Sequence, residues 1–275
     1  YGDGHVRRIY APYMARGKRV ATVGILDHIV YTVAAFFHTM EALRCDVAIY
    51  FAPSYFHTLT MPLLKLFGKK TCIVSVDPQQ ILKDRSSRSP LHYMYYAFSR
   101  FLELASVRLA DSVFAVSEYL EKEYKPINAR TYYTPNGADT EYIKSIKKRK
   151  ISKKPAIVFF GSLDKHRGVD MLLDAYKRLP DRERYTLVFL GGGREEQSLR
   201  EAAKDMDVHF SGFIDHKSAI AICKSAHLLV IPFRKSPILY KTSPIKTFEY
   251  IACGVPIIVT DTGSHAGIIK DLGAG

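Results

Sequence analysis

The chain has 275 residues, 47% hydrophobic and 24% charged, a balance that suits one or two globular domains and excludes collagen-like, repetitive and disordered classes. Its formal net charge of +13 favours anionic partners such as nucleotide diphosphates or acidic lipid headgroups. Nucleic acid is not expected, because no reading module for it is recognisable.

The first half alternates short apolar runs with longer amphipathic stretches. Strands are expected at 20–25, 47–51, 71–76, 112–116 and 130–133, and helices at 6–15, 28–43, 55–66 and 91–109. Such alternation predicts a parallel sheet covered on both faces. The apolar run 29–37 is shorter than the roughly 20 residues that a membrane-spanning helix needs. The helix at 91–109 is rich in Tyr, Phe and Leu around most of its circumference and is expected to be core, the alternative being that one face meets a lipid or acceptor. A basic stretch at 144–154 is expected to link a domain at 1–143 to a second at 155–275. There, strands are expected at 156–160, 186–190, 208–210 and 228–231, with helices at 169–178, 194–203 and 216–223. The fold class is therefore α/β, with two tandem Rossmann-like doubly wound domains. Ligand is expected at the carboxyl ends of their strands, in the cleft between them. The opening Tyr1-Gly2-Asp3-Gly4-His5 reads as a loop after a missing first strand. The last residues stop just past a strand and a short helix, so the chain is expected to be a fragment.

The stretch SPIKTFEYIACGVPIIVTDTG, starting at Ser243, is the most informative. Ser243 suits a helix N-cap and Pro244 the first helical position. Gly254 suits the helix end, and a short buried strand follows. Lys246 opposes the helix dipole unless an anion lies between them. Glu249, three residues later, shares its face. Ile245, Phe248 and Ala252 form a separate apolar face. Two readings stand: a nucleotide-diphosphate site, with lysine on phosphate and glutamate on ribose, or an amphipathic helix with a surface Lys–Glu pair.

Other loops add candidates. Gly161 in FFGSLDKHRG allows close backbone approach, and Arg167 could clamp phosphate oxygens. Gly192 lies in a glycine run after a strand. Asp77 lies at a strand's carboxyl end, and Asn136-Gly137 marks a turn. Each also has a plain structural reading as an exposed loop, tight turn or cap. Asp205-Met206-Asp207 falls between a helix and a strand, and no HExxH spacing occurs, so no metal is expected. The four cysteines lack CxxC spacing and read as core residues of a reduced, cytoplasmic protein.

Together these motifs resemble retaining glycosyltransferases of the GT-B fold, of the family 4 type. The resemblance runs in order through Gly2-Asp3-Gly4, a strand ending in Ser117, PNGAD, FFGSLDKHRG and the segment after Ser243. It implies that Glu249 holds ribose hydroxyls and Arg167 contacts the donor diphosphate. It implies that Ser243, Pro244 and Ile245 form a phosphate cradle, and that Gly4 approaches from the other domain. Three positions depart from the pattern: Lys241 replaces the first glutamate of E-x7-E, Ser162 replaces an arginine, and Val76 replaces the histidine before Asp77. The expected function is retaining, metal-independent sugar transfer from a nucleotide-diphosphate donor, which is a substrate rather than a cofactor. The acceptor would be a hydroxyl of a glycan or lipid-linked molecule. Asp77, Arg167 and Lys246 would be catalytic, and an acidic surface on the inner face of the membrane is a further partner. A nucleotide-sugar epimerase of the same fold and a non-catalytic nucleotide-sugar or polyanion binder are the alternatives.

Overall fold

The computed structural model describes residues 39, 42–52, 57–75 and 90–273. The expected strand at 20–25, the helix at 6–15 and most of that at 28–43 lie outside them, as do Gly4, Val76 and Asp77. The chain divides between Thr134 and Pro135 into two compact units.

In the first unit, β1 (Val47–Ala52), β2 (Lys70–Ser75), β3 (Ser112–Ala115) and β4 (Thr131–Tyr133) form a parallel sheet in the order β1-β2-β3-β4. Between them run α1 (His57–Leu66), α2 (Pro90–Leu109) and α3 (Glu118–Tyr124). Ser117 caps α3 by accepting the Leu120 N–H at 3.3 Å. The expectation for 91–109 is corrected: Met94, Phe98 and Phe101 line an exposed face of α2. The side against α1 is a hydroxyl seam, where Thr58 Oγ1 lies 2.6 Å from Ser106 Oγ and donates to the Leu102 carbonyl at 3.0 Å. Val107 of α2 is nevertheless buried in the first unit's core, with Leu104 and Leu109 packed against it.

The second unit holds β5 (Ala156–Phe160), β6 (Thr186–Leu190), β7 (Val208–Phe210), β8 (Leu228–Ile231) and β9 (Ile257–Val259), all parallel, in the order β7-β6-β5-β8-β9. Every residue of β6 is buried, as expected for a central strand covered on both faces. Alternate side chains feed two cores. Val158, Val188 and Leu190 pack with α7 (His216–Cys223), α8 (Ile245–Cys253) and α9 (Gly263–Asp271). Phe159, Leu187 and Phe189 pack with α5 (Val169–Lys177) and α6 (Glu196–Ala202).

The expected linker 144–154 and the expected boundary after residue 143 differ from this division. Residues from Pro135 onward belong to the second unit, beginning with α4 (Thr140–Ser145), capped by Asp139 on the Tyr142 N–H at 2.9 Å. Ile143 and Ile146 are buried in the second unit's core. Lys224 Nζ donates to the carbonyls of Ile143, Lys144 and Ile146 at 2.6–3.0 Å, a cation closing a helix C-terminus. The lysines and arginine at 147–150 remain exposed.

Candidate functional site

Strand order places the site. β5 is flanked by β6 on one side and β8 on the other, so connections leave it in opposite directions. A crevice opens outside the carboxyl ends at such a switch point. The sequence places Phe160-Gly161 after β5 and Pro232-Phe233 after β8, and both segments meet side chains from the candidate loops.

Helix α8 delivers the cation. Lys246 Nζ donates to the Phe160 carbonyl at 2.5 Å and lies 5.6 and 5.3 Å from the ring centroids of Phe159 and Phe160. A Cβ on Gly161 would fall 2.1 Å from Nζ, so a side chain there would displace the ammonium from this position. Burial first, then the Arg167 charge, pushes the Lys246 ammonium down to about 8, against the opposing pull of Glu249. A second anchor holds the same strand end: the Phe160 N–H donates to the Tyr250 hydroxyl at 2.8 Å.

The cap of α8 differs from expectation. The helix starts at Ile245, Pro244 occupies the cap position, and no side chain caps it. Ser243 is buried, and its Oγ instead accepts the Asn136 N–H at 3.3 Å, while Asn136 Nδ2 donates to the Ser243 carbonyl at 2.5 Å. The PNGAD turn thus docks on the entrance of α8. The start of α8 presents backbone donors with no side chain set against them, which suits an anion. The apolar face is also corrected: Thr247, Tyr250 and Cys253 are buried, whereas Ile245 is 54% exposed. Tyr250's bond to β5 sets that rotation.

Arg167 belongs to a short 3-10 turn, Lys165–Arg167, before α5. Its guanidinium carbon stands 4.7 Å over the Phe233 ring, and the buried His265 ring meets Phe233 edge-on at 5.2 Å. Burial and Arg167 push the His265 imidazole down to about 4, which keeps it neutral at ordinary pH. Neither ring nitrogen of His265 has a hydrogen-bond partner among the described residues.

Glu249, one turn after Lys246, pairs with His216 at 2.7 Å (Oε1 to Nε2). His216 is the first residue of α7. Its ring lies 6.3 Å from those of Tyr142 and Phe160, near-parallel to the former. Gly192 is buried beneath the exposed Phe213, whose ring would stand 2.7 Å from a Cβ added there.

Residues 142–275 match the family described as glycosyl transferases group 1. This region belongs to that family. The chain is 29% identical over 118 residues to an uncharacterized glycosyltransferase of Methanocaldococcus jannaschii, covering 42% of this chain and 29% of that one. It is 28% identical over 192 residues to the GDP-mannose-dependent alpha-(1-6)-phosphatidylinositol dimannoside mannosyltransferase of Mycobacterium tuberculosis, covering 65% of this chain and 49% of that one. The chain therefore spans about half or less of the length of these relatives. Among solved structures it resembles Anabaena HepE, crystallised with UDP and glucose, with a TM-score of 0.60 and 16% identity over 89% of this chain and 66% of that one. That likeness supports the α/β GT-B fold class, with a parallel sheet in each unit.

Within the group 1 domain, the structure brings Gly161, Arg167 and Lys246 together and sets Glu249 one turn along α8. Ser162 is half-buried beside Gly161 in sequence, and Gly192 lies two residues past the end of the neighbouring strand β6. Lys241, at the departure from E-x7-E, is buried. Asp207 of the DxD accepts from Lys154 Nζ at 2.7 Å and from Thr186 Oγ1 at 3.1 Å, a structural role. Sequence reasoning missed His216, Phe233 and His265. The sequence signal next to His216 is Asp215, a residue type suited to a helix N-cap, which caps α7 in the structure; no local signal marks the other two.

Proposed function

We propose that the protein transfers a sugar from a nucleotide-diphosphate donor to a hydroxyl of a glycan or lipid-linked acceptor, retaining the anomeric configuration. The observation that carries this reading is Lys246, a partly desolvated ammonium at the uncapped start of α8 and at the switch point, with Arg167 close enough to depress it. Two cations that repel each other in the free protein are stabilised by an anion placed between them. As the donor's glycosidic bond breaks, charge grows on the departing diphosphate. Lys246, Arg167 and the backbone donors at Ser243–Ile245 offer preorganised stabilisation of it. With protein cations in this role, no metal is invoked. Glu249 takes the ribose hydroxyls, Gly161, Ser162 and Gly192 line the backbone approach, and Asp77 and Gly4 carry the roles that the resemblance implies. The exposed charges at 147–150 suit an acidic membrane surface at its cytoplasmic face.

Thermal stabilisation of the chain by a panel of nucleotide-diphosphate sugars tests the reading. A donor at 100 times its dissociation constant adds about 2.7 kcal/mol. No stabilisation by any donor refutes it, and turnover without an acceptor points to epimerisation.

A further inference from the structure

We propose that His216 is a positioning residue, which presents the Glu249 carboxylate to the ribose of the bound nucleotide. This rests on the reading of Glu249 as the ribose ligand. Glu249 hangs from α8 by a flexible side chain, and its Oε1 lies 2.7 Å from His216 Nε2. A carboxylate only accepts, so this bond fixes Nε2 as the protonated nitrogen of His216. One bond to Oε1 leaves Oε2 for a ribose hydroxyl.

The imidazole is itself held. His216 opens α7, and its neighbour Asp215 caps that helix by accepting the Ser218 N–H at 2.9 Å. Tyr142 and Phe160 border its ring. Phe160 is the shared support, because its carbonyl holds Lys246, its N–H meets Tyr250, and its ring borders His216. The groups assigned to phosphate and to ribose are therefore registered against one residue at the end of β5. A carboxylate fixed before the nucleotide arrives loses less freedom on binding.

Titration calorimetry of the full chain with UDP, GDP, ADP, CDP and dTDP tests the proposal, paired with the 2′,3′-dideoxy form of whichever binds. His216→Ala is expected to weaken the ribonucleotide about tenfold, the effect of one lost hydrogen bond to a charged group. The same variant should weaken the dideoxy nucleotide less than about twofold, since no hydroxyl then reads the carboxylate. His216→Gln, whose amide can still donate, should stay within about threefold of wild type on the ribonucleotide. Equal loss on both nucleotides would mean that His216 acts on the base or the fold, and would overturn the proposal. So would an unchanged affinity in His216→Ala when Glu249→Gln weakens binding. If the wild-type chain binds none of UDP, GDP, ADP, CDP and dTDP, the donor-site reading itself falls, and this proposal with it.

Discussion

Lys246→Met separates what the lysine does for function from what it does to stability. The side chain keeps its length and loses its charge. In the folded protein the ammonium is pushed down from 10.5 to about 8, chiefly by burial. The folded value lies below the unfolded one, so the unfolded chain binds more protons between pH 8 and 10.5, and stability rises across that window. At pH 7 the folded state carries the whole burden, about 3 kcal/mol at 1.36 kcal/mol per pH unit. The methionine relieves that but leaves the Phe160 carbonyl without its donor, a loss of about 1 kcal/mol. Lys246→Met should therefore be about 2 kcal/mol more stable than wild type in urea unfolding at pH 7, and lose that advantage by pH 10.5. Nucleotide binding should respond oppositely. A bound diphosphate favours the ammonium, so wild-type affinity should fall as pH rises through 8, by at most about tenfold per pH unit. In the variant it should be weak and flat over that range. A variant less stable than wild type at pH 7, or wild-type affinity that is flat from pH 7 to 9, would refute the reasoning.

Two further outcomes follow from the same geometry. Gly161→Ala should displace Lys246, because its Cβ would stand 2.1 Å from Nζ. Calorimetry should show nucleotide affinity down about tenfold, and urea unfolding a loss of about 1–3 kcal/mol from overpacking. His265, pushed down to about 4, resists protonation in the folded state, so the stability it confers is complete above about pH 6.5 and is lost as pH falls towards 4. His265→Phe should abolish up to about 3 kcal/mol of the wild-type loss between those pH values, measured as the difference between the two urea-unfolding profiles.

Strands β5, β6 and β8 were legible in the sequence because largely buried parallel strands are near-continuous apolar runs. Helix α7 was expected at 216–223 and spans those residues. The site's charged residues were legible as an anomaly, a lysine at the wrong end of a helix dipole. What escaped depends on distant partners. Ser243 has the local preference of a cap, yet Asn136, 107 residues away, takes its hydroxyl. The rotation of α8 follows from Tyr250 reaching Phe160, not from the spacing of Ile245, Phe248 and Ala252. The basic run at 144–154 reads as a linker because its charges outnumber its anchors, but Ile146 and Lys224 hold it to the second unit. The apolar residues of α2 gave no sign that Val107 would be buried while Met94, Phe98 and Phe101 stay exposed.

The most direct measurement is the position of the phosphates in a crystal structure of the protein with a nucleoside diphosphate. They are expected to lie at the start of α8, with Lys246 Nζ and the Arg167 guanidinium within hydrogen-bonding distance and the ribose against Glu249. Phosphates bound away from α8, with Lys246 still seated on the Phe160 carbonyl, would contradict the donor-site reading.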